Sequence, residues 1–350
     1  MPTPTQTVQS ENTEIDYAAL ITQYPWVTAR DRYCILSPDS DGFLSGLLVT
    51  NFLNWEVAGF YDGKILISKR GVDINECVFL DMEINRPGVG SIGNHLIEYN
   101  RNLVINNRNF DACLQPNMLR GFDGKNAFQR KYPFGTIHLL LSVLQGAGVI
   151  NDVQDDAISP LLFADGVGNN LFGYPENCLD WINYLKIDQS THILHKFLCE
   201  TNLNFYQIMQ YLQRFFVIRD SFNATGYFDG TNFVQGGNNK RTGHKLKITN
   251  GQGAKINLTN NGSSFDIHST EAQRVQGFIR AVAVMMGWQY LDRKWNWGNF
   301  DIKMLRKGLL SGESTIASSR LNNQTYKTLF DQNPFSLAMT ASNRIEYTLE

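Results

Sequence analysis

The chain predicts an α/β fold: a mostly parallel sheet flanked by helices over its first half, then a second α+β domain carrying a β-meander. Three observations predict it. Short apolar β-type runs alternate with helical patterns up to about residue 190. Two of those runs end directly on acids. After residue 220, short alternating runs are separated by Asn-Gly pairs, the strongest local hairpin signal.

The first fourteen residues, MPTPTQTVQSENTE, are polar, with no basic start and no apolar stretch, and read as a flexible tail (1–14) rather than a secretory leader. Arg32–Pro38 is a compact apolar run that ends in Asp39-Ser40-Asp41-Gly42. Phe43, Leu44, Leu47, Leu48 and Phe52 then recur at helical spacing. WEVAGFYDGKILIS gives two short strands with Asp62-Gly63 at the turn. Cys77–Met82 is another buried-type strand, with Asp81 at its end. Residues 128–145 predict a long helix, and Pro175 opens another, proline being tolerated in a first turn. These elements make one domain, 15–190. Helical patterns near 191–199 and 204–219 make a connector, 191–220.

In the remaining 221–350 domain, HKLKIT, AKINLT and SFDIHS are spaced by Asn250-Gly251 and Asn261-Gly262, which predicts the meander. Thr270 then opens a helix, with Gln273 placed to complete a capping box and an apolar face of Val275, Phe278, Ile279 and Val282. The last forty residues are polar and weakly patterned.

With 350 residues, 43% of them hydrophobic and 18% charged, the composition is that of a globular protein able to bury a sizeable core. No apolar run is long enough for a membrane span, so no membrane partner is expected. The five cysteines form no C-x-x-C pair and sit mostly among apolar neighbours, which suits reduced thiols in the cytoplasm. Charge is unevenly spread. Residues 1–199 carry 22 acidic and 14 basic side chains, residues 200–350 carry 11 and 17. An acidic half beside a basic half suits a metal site next to a module that holds a polyanion.

In an open parallel sheet, ligands collect beyond the carboxyl ends of strands, where the strand order reverses. Asp39, Asp41 and Asp81 fall at such ends. Carboxylates held close repel one another unless a cation neutralises them, and a hard divalent ion, Mg²⁺ or Mn²⁺, prefers oxygen ligands. The plainer alternative is a set of solvated acids in loops that follow strands.

Four pieces in order resemble a known family. ILSPDSDGFLSGLL, VFLDM, SIGNHLIEY and ISPLLFADG are similar to the four motifs of the DHH phosphoesterases, which include RecJ-type exonucleases and short-oligonucleotide phosphodiesterases. The likeness covers roughly residues 30–190. It implies a DHH-like fold there and one or two Mn²⁺ or Mg²⁺ ions held by Asp39, Asp41, Asp81, Asn94 and Asp165. It further implies His95 at the substrate phosphate, with His95, Asp41 and Asp81 as the catalytic set. Two departures stand out. Gly93-Asn94-His95 replaces Asp-His-His, and Ser37 stands where the family has a further ligand. The activity implied is metal-dependent phosphodiester hydrolysis on nucleic acid or short oligonucleotides. The alternative is a catalytically degenerate binding or assembly protein on the same fold. A strand followed by D-x-D-G also begins haloacid-dehalogenase-type phosphatases, with Asp39 as nucleophile, but Phe43 stands where that family has Thr.

Among other candidates, Asn239–Lys247 is the densest basic stretch. On a strand Lys245 and Lys247 share one face and could meet substrate phosphates, with Tyr227, Phe228 and Phe233 near enough in sequence to stack on bases. The competing reading is a solvated hairpin edge. Gly236-Gly237 and Gly243-His244 are only fragments of a glycine-rich motif. Trp288, Tyr290, Trp295 and Trp297 read as core packing, and His192 with His195 as a structural pair.

Overall fold

The computed structural model describes residues 14–200, 203–222, 226–228, 233–235 and 243–350. Its strands are β1 (Tyr33–Leu36), β2 (Glu56–Tyr61), β3 (Ile65–Lys69), β4 (Val78–Leu80), β5 (Ser91–Ile92), β6 (Cys113–Leu114), β7 (Gly226–Phe228) and β8 (Phe233–Gln235). There follow β9 (Leu258–Asn260), β10 (Phe265–Ile267), β11 (Phe300–Met304), β12 (Arg306–Ser311), β13 (Ser336–Ala341) and β14 (Arg344–Leu349).

One sheet of nine strands runs in the order β6-β5-β4-β1-β2-β3-β11-β10-β9. The five strands from β6 to β2 are parallel, and the rest are added antiparallel. Cys34, Ile35 and Leu36 of β1 are fully buried, as are the residues of β4, because helices or loops cover both faces of the parallel part. The Ser40–Phe52 helix carries the chain from β1 to β2 on one side, and β4 then pairs on the other side of β1. The strand order therefore reverses at β1, which fixes where a ligand site belongs.

The chain after residue 250 divides between two sheets. β9–β11 continue the large sheet through β3, and β12, β14 and β13 form a separate three-stranded antiparallel sheet. Phe278 of the Ser269–Met286 helix packs on Phe43, inside a single buried cluster that spans both halves. The second α+β part thus shares sheet and core with the first.

Several local expectations change. The hairpin at Asn261-Gly262 forms as β9–β10, but at Asn250-Gly251 pairing shrinks to one bridge, Thr249 with Lys255. There the Asn250 side chain accepts the amides of Gln252 and Ala254, the N–H groups of Asn250 and Ile256 donate to the carbonyls of Ala254 (3.0 Å) and Ile248 (2.9 Å), and the Thr249 hydroxyl donates to Asp62 (2.6 Å). The helix expected from residue 128 begins at Thr136, since Pro133 disfavours helical backbone at Tyr132 and Gly135 serves as the cap. The Ser269–Met286 helix has no side-chain cap, and Gln273 completes no capping box. The weakly patterned last forty residues contain β13 and β14.

Candidate metal centre

The site is assembled at the reversal point. Asp39 ends the loop after β1 and caps the Ser40–Phe52 helix, accepting the Gly42 N–H at 3.4 Å. Gly42 is required by close approach, because a Cβ there would stand 2.0 Å from the Ser37 carbonyl oxygen. This helical turn places Asp41, fully buried, against the start of the Thr136–Gly146 helix. Its carboxylate accepts the N–H groups of Thr136 (2.5 Å) and Ile137 (2.9 Å). Free amides and the helix dipole favour a negative charge at that position.

Asp81 follows β4 and receives the Thr136 hydroxyl at 2.8 Å. Asp165 lies just beyond the Ile158–Phe163 helix and is exposed. Asp81 and Asp165 adopt left-handed backbone, with φ of 65° and 50°. The structure brings ligand atoms of Asp41, Asp81 and Asp165 within 4.8 Å of one another. Asp39 lies outside that triad and lines the cleft beside Asp81.

The electrostatics follow from this crowding. Burial, then the neighbouring Asp165, pushes the Asp41 carboxyl well above the usual range. Burial, then Asp41 and Asp39, does the same to Asp81. Asp39 is raised as well, by burial and Asp165, with Lys245 pulling the other way. Carboxyls in this position must hold protons or share a cation.

Asn94 is 9% exposed and donates its amide to Asp165 and to the Phe134 carbonyl (3.3 Å). Its side-chain carbonyl oxygen is buried without a partner. That orphaned acceptor, beside three carboxylates drawn together by three separate segments, fits a cation held by oxygen ligands alone. Asp41, Asp81 and Asp165 form a group able to hold a metal ion.

His95 lies at the mouth of the cleft with its side chain 42% exposed. Glu83, a residue the sequence reading missed, accepts the His95 N–H at 2.7 Å and lies 3.7 Å from the ring. Burial works against the imidazolium, but the Glu83 carboxylate overrides it and holds the ring above its ordinary pKa.

Lys245 and Lys247 reach the same place from the distant end of the chain. Leu246 N–H donates to the Pro38 carbonyl (2.8 Å), docking their segment beside Asp39. Leu246 and Ile248 face inward while both lysines are exposed. Together with Lys307 from β12 they line a cleft of about 420 Å³ that also takes in Asp39, Asp81 and His95. Lys307 and Thr136 gave no signal in the sequence beyond their residue types.

Other candidates fall elsewhere. Trp295 is 4% exposed and stacks on Trp297, as core. His195 bonds the Ile187 carbonyl and His192 accepts the Leu194 N–H, so both brace a loop. Lys240, Arg241, Gly236-Gly237 and the side chains of Tyr227, Phe228 and Phe233 lie outside the described residues. No family model, curated protein or solved structure matches the chain.

Proposed function

We propose that the protein is a metal-dependent phosphodiesterase acting on nucleic acid or short oligonucleotides. The observation that carries this reading is the Asp41–Asp81–Asp165 cluster, with ligand atoms within 4.8 Å, whose Asp81 lines a cleft edged by lysines. The ordered resemblance of four segments to the DHH phosphoesterases supports it. An oxygen-only ligand set favours Mn²⁺ or Mg²⁺. One ion would be held by Asp41, Asp81, Asp165 and Asn94, and a second by Asp39 with Asp81. Bound there, divalent ions supply charge neutralisation at the phosphoryl group under attack.

The chain's own groups do the rest. Lys245, Lys247 and Lys307 draw the polyanion into the cleft and hold its backbone phosphates. Glu83 keeps His95 charged, so that its ring donates to a phosphate oxygen or returns a proton to the departing alkoxide. Thr136 holds Asp81 in place, and the Thr136–Gly146 helix fixes Asp41. Among the described residues no helix is long and apolar enough to cross a membrane, and all five thiols are free, which fits a reducing, cytoplasmic setting.

The test is incubation with Mn²⁺ or Mg²⁺ and end-labelled short single strands. We expect cleavage that stops with chelator and falls at least about 100-fold in Asp81→Asn, as loss of a metal ligand implies. No cleavage with either ion would overturn the proposal.

Two observations favour a second reading, a binding or assembly protein that retained the fold. Asn94 and Ser37 stand where the family has stronger ligands, and Asp41 already receives two backbone N–H groups. Calorimetry separates the readings, because divalent-ion uptake that disappears in Asp41→Asn is not expected of an inert scaffold.

A further inference from the structure

The carboxylates open onto two cavities, Asp39 and Asp81 onto one and Asp165 onto the other. The first is the cleft with the lysines. The second is a cavity of about 610 Å³, which takes in Asp165 and Asn94 and shares His95 and Thr340 with the cleft. Its chemistry is different. Phe128, Lys131, Tyr132, Asn170, Tyr174 and Asn177 line it, so rings and side-chain amides replace the lysine row.

The amides are arranged asymmetrically. Asn170 and Asn177 donate their NH₂ groups to the carbonyls of Pro133 (2.7 Å) and Lys131 (2.8 Å). Each donation holds the loop that leads into the Thr136–Gly146 helix, which accounts for the donors but not the acceptors. The Asn177 carbonyl oxygen is buried and has no partner. A buried acceptor without a donor costs free energy unless something else supplies the N–H. Tyr174, which also lines the cavity, is 62% exposed. Lys131 lies over the Phe128 ring at 5.0 Å, which gives the cavity one cation on an aromatic face.

We infer that this cavity is a nucleobase subsite, which holds the nucleoside on one side of the phosphate at the metal centre while the remaining phosphates run along the lysine cleft. A planar base has a π-face for Tyr174 and ring or exocyclic N–H groups for the Asn177 carbonyl, which is what the unsatisfied groups call for. The volume falls within the range of small-molecule sites. The inference rests on the phosphodiesterase reading for its phosphate, and it adds the demand that substrates carry a base on the Tyr174 side.

Equilibrium binding of adenosine 5′-monophosphate and of ribose 5-phosphate, each in Mg²⁺, tests it without turnover. The nucleotide should bind roughly tenfold or more tightly than the sugar phosphate, the usual scale of one base–aromatic stack. Tyr174→Ala should reduce that ratio to near one. Phe172→Ala is the control, since Phe172 is 88% exposed and outside the cavity, and it should leave the ratio unchanged. Equal binding of the two probes, or a ratio that survives Tyr174→Ala, overturns the subsite. Metal-dependent cleavage without base preference would refute the subsite and leave the phosphodiesterase standing. Base preference without cleavage by either ion would do the reverse.

Discussion

Asp81 and Asp165 present their carboxylates from left-handed backbone, a conformation that Asp and Asn tolerate better than most residues. This decides how the site should be probed. Asp81→Ala would mix backbone strain with the loss of a ligand, whereas Asp81→Asn keeps the φ of 65° and can still accept the Thr136 hydroxyl. The same crowding makes a pH prediction. Asp41 and Asp81 have folded-state pKa values raised above the ordinary 3.8 by burial and by each other's neighbours. The folded protein therefore retains protons that the unfolded chain releases, so metal-free stability falls as pH rises from about that value through the raised folded-state values. Thermal unfolding in chelator should show Tm dropping across this window. Mn²⁺ or Mg²⁺ should remove the drop. Asp81→Asn should shrink the drop to the part that Asp41 contributes and weaken the ion's effect. A wild-type profile already flat in chelator would mean that protein donors alone satisfy the carboxylates.

At the scale of elements, the site depends on where one helix begins. Gly135 caps the Thr136–Gly146 helix, and a Cβ on it would lie 2.6 Å from Asp41 Oδ2. Gly135→Ala should push the carboxylate off its two amides, since the helix backbone beneath is less able to give. We expect divalent-ion affinity, measured by calorimetry, to fall by roughly tenfold or more, as for other changes that misalign a ligand. Stability should fall by about 1–3 kcal/mol, the range for an overpacked methyl. Unchanged affinity would show that Asp41 is not held by this contact. D-x-D-G after an apolar run was legible, because strand end, cap and close helix turn are all local features. The start of the helix at Thr136 was not, since the apolar period continues back through Phe134 and Tyr132 while Pro133 breaks the backbone. Glu83 was missed because an acid two residues after Asp81 has no pattern of its own, and its role appears only when β4 and β5 bring it under His95. The turn at Asn250-Gly251 keeps two backbone bonds across it, and side chains rather than a longer ladder tie it to the sheet, the Thr249 hydroxyl to Asp62 and the Lys64 ammonium to the Asn250 carbonyl.

At the scale of the molecule, the acidic and basic halves are not separate bodies but the two walls of one cleft. The small sheet is fastened beside the site by the Met339 amide on the Leu96 carbonyl (2.7 Å) and the Asn85 amide on the Phe335 carbonyl (2.8 Å). Tyr61 adds hydrogen bonds to Ser336 (2.8 Å) and Thr348 (2.6 Å). That clasp brings Lys307 opposite Lys245 and Lys247, although some sixty residues of sequence separate them. Residue counts alone could suggest the charge asymmetry, but not that the charges would meet. A net charge of −2 gives the whole protein no general attraction for a polyanion, so the proposed substrate would have to be drawn in by this local field. Single-stranded oligonucleotide affinity should therefore fall with salt, with a log–log slope of about −2 if three lysines each displace one counterion. Lys307 is paired with Glu346 at 2.5 Å and must exchange that partner for a phosphate, so its share is the most easily lost. Lys245→Ala should reduce the slope by roughly 0.7 and weaken binding evenly across sequences, as expected of a phosphate contact rather than a base contact. A steep slope that Lys245→Ala and Lys247→Ala leave unaltered would move the polyanion to another face of the molecule.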